Sequence, residues 1–186
     1  MSNEYKDWER DKIEEEKILV KEYPFLHARN IDGTLSNSKF PMIGLEIPDG
    51  WVELFFQMCA DIKPILQKYN ILDKFYFWQI KEKYNSLRCY SSFSLEEVDL
   101  ILQKYEVMSS YICTNCGAPA TVETQNYIAS FCDDCWKDFV RHEEVEFINF
   151  KDYYRVIHYN KEKEIEVEIS LKEEWERYLK NRGKNK

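Results

Sequence analysis

Four of the six cysteines in this 186-residue chain fall in one stretch, "YICTNCGAPATVETQNYIASFCDDCW", residues 111–136. Cys113 and Cys116 form one C-x-x-C pair, Cys132 and Cys135 a second, with fifteen residues between the pairs. Thiolates are the soft donors that Zn2+ takes in fours with tetrahedral geometry, and a C-x-x-C turn presents two of them to one ion. Gly117 follows the first pair directly, where a tight knuckle often needs a positive φ. The pattern therefore predicts a structural Zn2+ held by Cys113, Cys116, Cys132 and Cys135. A catalytic zinc keeps one position open for water, and four thiolates leave none. Disulfides or redox thiols are the competing reading, and a reducing compartment disfavours them.

Two further chemistries are open to a module of this kind. For phosphate binding, residues 111–140 offer Lys137 alone against Glu123, Asp133, Asp134 and Asp138, and four thiolates on Zn2+ add negative charge. For nuclease chemistry a general-base histidine is needed in the hairpin between the knuckles, and residues 117–131 contain none. His142 lies seven residues after Cys135 and reads as a helix-surface side chain; His27 and His158 are the only others. Nucleic-acid binding is thus the weaker reading.

Outside the module, "QIKEKYNSLRCY" carries Lys81, Lys83 and Arg88 beside Trp78, Tyr84 and Tyr90. On a hairpin the three cations can share a face near the turn, either as an anion or partner site or as a lysine-guarded solvated edge. Glu164, Glu166 and Glu168 alternate with Ile165, Val167 and Ile169, the pattern of a half-buried strand with an acidic outer face. That face is a second candidate partner surface, with ordinary solvation as its alternative. Cys59 and Cys89 have no partner at ligand spacing and read as buried thiols. The sequence has no glycine-rich phosphate loop, no nucleophile elbow and no carboxylate pair spaced for acid–base work.

The elements that must position these residues can be read from periodicity. Residues 3–22 are charge-dense with a sparse apolar set (Trp8, Ile13, Ile18, Leu19, Val20), a helix tied down at its C-terminal end. Pro24, Gly33, Pro41, Gly44, Pro48 and Gly50 break the next segment into irregular pieces. After Gly50, apolar residues at Trp51, Leu54, Phe55, Met58, Cys59 and Ile62 make one helical face, which Pro64 should kink or restart. "KFYFWQIKE" reads as a strand with Tyr76, Trp78 and Ile80 on one side, and "KYNS" turns it into "LRCYSSF". Ser94 with Glu97 forms a capping box for a helix whose stripe is Val98, Ile101, Leu102, Tyr105 and Met108. Within the module, "ATVET-QN-YIASF" reads as a hairpin, and 136–147 as a helix. Knuckle, hairpin, then a knuckle at a helix start is a treble-clef-like order; a zinc ribbon would place the second knuckle on another hairpin. Residues 153–159 and 164–169 read as a hairpin around "NKEK", and Ser170 with Glu173 caps a last helix.

The fold class is then α+β: helices on a small antiparallel sheet, a treble-clef-like or zinc-ribbon module of four cysteines, and a C-terminal β-hairpin. The expected division is an α+β core over 1–110, the module over 111–142 and the C-terminal hairpin and helix over 143–186, packed as one unit. A hydrophobic fraction of 44% supports a core. A formal charge of −8 repels phosphate backbones unless cations gather on one face. No apolar run approaches the ~20 residues of a membrane span, and the charged start lacks a secretion core. The expected location is the cytoplasm.

"MIGLEIPDGW", "QMCADIKPIL", "WQIKEKYNSLRCY" and "YICTNCGAPATV…FCDDC" together resemble a group of small bacteriophage and prophage proteins. These share a P-x-GW entry, a Q-[IV]-K-E-K-[FY]-G-x-LR-[FW]-Y hairpin and a late C-x-x-C-G…C-x-x-[CH] module. The similarity covers residues 23–136. Asn85 stands where the group commonly has Gly, at a turn that can call for positive φ, and Cys89 replaces a bulky residue. The acidic segment beyond 145 has no counterpart. The resemblance implies a phage origin and a zinc module, and no activity. The expected function is a non-enzymatic, phage-encoded zinc-binding protein of the bacterial host cytoplasm that binds and modulates a host protein. The narrower expectation is an inhibitor of a defence component. The alternatives are a nucleic-acid-associated regulator with structural zinc, using Lys81, Lys83 and Arg88, and a small hydrolase or nuclease.

Overall fold

The structure is a computed structural model and describes residues 3–125, 127–139, 145–148, 155–160 and 165–182. Five α-helices and eight short strands make a mixed α+β architecture among these residues. Helix α1 (Asn3–Glu22) leads into a short 3-10 turn at Pro24–Leu26 that buries Phe25 and Leu26 completely. Strand β1 (Leu45–Glu46) and a second 3-10 turn at Asp49–Trp51 lead into α2 (Val52–Lys68). Strands β2 (Phe77–Glu82) and β3 (Leu87–Ser91) form an antiparallel hairpin, followed by α3 (Glu96–Ser109). The cysteine region supplies β4 (Val122–Thr124), β5 (Ser130–Phe131) and α4 (Asp133–Phe139). Strand β6 (Val145–Phe147), the hairpin β7 (Arg155–Asn160) and β8 (Ile165–Ser170), and α5 (Lys172–Asn181) complete the chain. Among the described residues no helix is long and apolar enough to cross a membrane.

The strands make three small sheets, ordered β1-β2-β3, β5-β4-β6 and β7-β8. The first is mixed, because β1 joins β2 in parallel through Leu45 and Glu46. Alternation along β2 is interrupted: Phe77 pairs with Ser91 but Gln79 pairs with Tyr90, so an extra residue bulges out of register. A bulge shifts the side-chain period by one. Phe77 and Ile80 are thereby both buried, and Trp78, expected on the Ile80 side, is 45% exposed.

The apolar face expected for α2 is fully buried, from Trp51 through Ile62 to Leu66. Pro64 sits inside this helix without restarting it. The carbonyl it deprives of a partner belongs to Ala60, which is exposed to water. Helix α3 buries Val98, Tyr105 and Met108 against α2, with Ile101 and Leu102 packed at the margin. Helix α5 closes the core with Trp175 and Tyr178. Burial of each large side chain contributes about 1.5–3 kcal/mol.

Three local expectations are corrected. Helix α3 has Leu95 rather than Ser94 at its N-cap, with no side-chain capping bond. Ser94 instead donates to Asp99, and Glu97 accepts from Lys68 and Tyr69. Leu171, fully buried, stands at the N-cap of α5, and Ser170, one residue further out, still accepts from Lys172 N–H at 3.2 Å through its hydroxyl. Of the helix expected over 136–147, residues 136–139 are helical as part of α4, and Val145–Phe147 is instead a strand paired with β4. Val145, Glu146 and Phe147 also fit a two-residue period, and the free edge of β4 selects it. His142 lies outside the described residues.

Candidate metal centre and binding surface

The first knuckle closes through backbone bonds: Cys113 N–H donates to the Ala118 carbonyl at 2.7 Å, and Gly117 N–H to the Cys113 carbonyl at 3.0 Å. Gly117 takes φ +74°, the left-handed conformation expected for it. The chain then runs through the β4–β5 hairpin to Cys132, immediately before α4, and Cys135 lies on that helix. Knuckle, hairpin and helix-start knuckle give the treble-clef-like order. Strand β6 adds a third strand to the hairpin.

The four sulfurs lie within 4.8 Å of one another, and Cys116 Sγ is 3.6 Å from Cys132 Sγ. A tetrahedron of thiolates about 2.3 Å from a central zinc has sulfurs about 3.8 Å apart, and a disulfide needs about 2.05 Å. The spacing fits an ion and excludes a bond; all six cysteines are free. Among the described residues this is the only group of three or more His, Cys, Asp or Glu side chains gathered so closely. Asn115 Nδ2 donates to Cys135 Sγ at 3.3 Å. Burial raises the Cys113 thiol. Burial also opposes ionisation of Cys116, but the Ala118 backbone amide and the neighbouring thiols outweigh it and lower its pKa. The backbone amide bond is one a metal-bound thiolate would keep, whereas the thiol protons would leave on metal binding.

Two distant segments converge on the first knuckle. Gly50 N–H donates to the Thr114 carbonyl at 2.9 Å. A Cβ on Gly50 would collide with the Cys113 carbonyl and stand 2.7 Å from Gly117 N, so only glycine fits. Trp51, fully buried, donates its indole N–H to the Ile112 carbonyl at 3.1 Å. From α5, Tyr178 donates its hydroxyl to the Gly117 carbonyl at 2.8 Å.

A third segment, the turn of the β2–β3 hairpin, reaches the neighbouring strands of the cysteine region. Lys83 and Ser86 exchange backbone bonds around Tyr84 and Asn85, which take φ +52° and +56°. This two-residue turn with both central residues left-handed is type I′. The turn therefore keeps its positive φ with Asn85 in place of Gly. Asn85 is 1% exposed. Its Nδ2 donates to Glu123 Oε2 and to Ser130 Oγ, each at 2.7 Å, and its Oδ1 accepts from Ser130 N–H at 3.2 Å. The hairpin tip is thus bonded to β4 and β5 of the cysteine region.

The remaining predicted site residues separate. Trp78, Tyr84 and Tyr90 are exposed. Lys81 lies over the Tyr90 ring and Lys83 over the Tyr84 ring, each 5.4 Å from the centroid. Lys81 and Arg88 are cross-strand partners on one face, as expected. Arg88, however, is ion-paired to Glu106 of α3. Glu166 and Glu168 are exposed on β8, in a separate sheet, and Glu164 lies outside the described residues. Burial pushes the Cys59 and Cys89 thiols up, as inert buried thiols require. Sequence reasoning missed the bonds of Gly50, Asn85 and Tyr178 to the cysteine region. The first two carried a signal, a glycine before a tryptophan and an asparagine in a two-residue turn; Tyr178 carried none.

Compared with protein-family models, curated proteins and solved structures, the chain matches none.

Proposed function

We propose that this chain is a non-enzymatic protein that binds and modulates another protein, with Zn2+ held by Cys113, Cys116, Cys132 and Cys135 as scaffold. The observation that carries the reading is the division of the molecule around the β2–β3 hairpin. Its tip is bonded into the cysteine region by Asn85, while Trp78, Tyr84 and Tyr90 stay exposed with Lys81 and Lys83 over two of the rings. Exposed aromatics on a rigid support are the residues that dominate protein interfaces. The thiolate set is complete and clamped by core residues, which suits a scaffold and leaves no ligand position for substrate. Given the resemblance to bacteriophage proteins, the target is a host protein of the bacterial cytoplasm, with antiviral defence components the first class to test.

The test is affinity capture from host lysate with the intact chain and with a Trp78→Ala/Tyr90→Ala variant. A stoichiometric partner held by the first and lost by the second is the expected result. Recovery of chaperones alone, or equal capture by both, overturns the reading. Metal analysis of protein purified without chelator should give one zinc per chain.

The same face supports a second reading, a nucleic-acid-associated regulator, because aromatics flanked by lysines also stack on unpaired bases. Short oligonucleotides at low salt would then quench tryptophan fluorescence with a steep salt dependence. Absence of quenching removes it.

A further inference from the structure

A groove of about 750 Å3 lies between α1, α2, α5 and the first knuckle. Its volume is within the roughly 300–1,000 Å3 typical of built binding sites. Leu19 from α1 and Val52, Phe56 and Ala60 from α2 supply an apolar floor. Cys116 and Gly117 form one end, so the groove abuts the metal centre. Its charge is one-sided. Glu15, Asp49 and Glu53 lie along it. The one lysine or arginine among the described residues that line it, Arg177, is already engaged by Asp61 and by the Tyr105 hydroxyl.

We propose that this groove is the docking site for a basic amphipathic segment of a partner protein. Apolar side chains of that segment lie on Leu19, Val52 and Phe56, and its Lys or Arg residues meet Glu15, Asp49 and Glu53. The proposal rests on the reading of the chain as a protein-binding protein and adds the chemistry of what it binds. Charge complementarity selects the occupant. A segment rich in acids is repelled, and a second copy of this chain, at formal charge −8, is disfavoured for the same reason. The elements that form the groove are tied to the core: Tyr178 and Gly50 are bonded to the knuckle, and α2 buries one face along its length. The segment therefore meets a preformed surface.

The probe is a fluorescein-labelled helical peptide of leucine and lysine with one apolar stripe, titrated with the intact zinc-loaded chain and read by anisotropy. A leucine and glutamate peptide of the same pattern is the control. Ala60 is exposed, so Ala60→Trp fills the groove without disturbing the core, and Glu15→Lys reverses rim charge on an exposed helix face. The lysine peptide should bind at least about ten-fold more tightly than the glutamate peptide. Each substitution should weaken it about ten-fold or more, at unchanged melting temperature and zinc content. Equal binding of the two peptides, no binding of the lysine peptide, or full binding by Ala60→Trp overturns the proposal. Self-association that Ala60→Trp abolishes also overturns it, in favour of a second copy. A captured host partner that Ala60→Trp still holds and Trp78→Ala/Tyr90→Ala loses overturns the groove alone and leaves the protein-binding reading standing.

Discussion

The two C-x-x-C knuckles have the same sequence spacing and very different surroundings. The first meets Gly50, Trp51 and Tyr178, all of them buried and drawn from distant parts of the chain. The second stands at the start of the short helix α4, where an exposed bond from Thr121 Oγ1 to Asp133 at 2.7 Å is a principal tie. Local spacing makes both into candidate ligand pairs. Only the first is held by Trp51 and Tyr178 of the hydrophobic core. A metal ion joining the two thus fastens a peripheral element to a central one, and its loss should be felt at the centre.

Metal removal tests that asymmetry most strongly. Chelation should abolish cooperative unfolding and change the near-ultraviolet signal of Trp51, because the backbone it bonds to leads directly into the knuckle. Retention of a native spectrum in chelator would show that the knuckle holds its form unaided.

Gly50→Ala comes next. The added methyl collides with backbone, which cannot move aside as a flexible side chain can. A loss of about 3 kcal/mol or more is expected in denaturant melts, despite an intact ligand set. A stability near that of the wild type would mean that the two backbones do not pack so closely.

Asn85→Ala removes the hairpin's anchor and leaves Ser130 N–H and Glu123 without that partner. It also puts alanine at positive φ. The expected cost is about 2–4 kcal/mol. Asn85→Gly keeps the turn but not the bonds and should cost less, so the pair of variants separates backbone strain from the lost network.

Tyr178→Phe deletes one buried bond to Gly117, at about 1–2 kcal/mol. Thr121→Ala, on the second knuckle, deletes an exposed bond and should cost under about 1 kcal/mol. A larger effect for Thr121→Ala than for Tyr178→Phe would reverse the comparison of the two knuckles.

Much of this organisation could be read in the chain. The face of α2 and the stripe of α3 follow from periodicity, since an amphipathic helix announces its buried side at every turn. The α+β class and the treble-clef-like order of the cysteine region were legible from the same kind of local pattern. The course of β2 was not. Phe75, Tyr76, Phe77 and Trp78 are all good strand residues, so alternation alone could not place the bulge that buries Phe77 with Ile80 and leaves Trp78 outside. The strand at 145–147 was equally hidden, because it formed only by finding the edge of β4. The caps shifted by one residue, because Leu95 and Leu171 pack onto the core at the N-cap positions, although Ser170 keeps a bond from Lys172 N–H.

The sequence by itself determined the candidate ligand set, because C-x-x-C geometry is local and needs no knowledge of the rest of the chain. It also determined the hairpin turn, since Asn tolerates the left-handed conformation better than most residues. What the tertiary structure decided is which of these pieces are joined. Contacts between residues 50 and 117, 85 and 123, or 117 and 178 span 38 to 67 positions, and no local pattern encodes a partner that far away. They form because buried backbone and amide groups must find hydrogen bonds once the core closes.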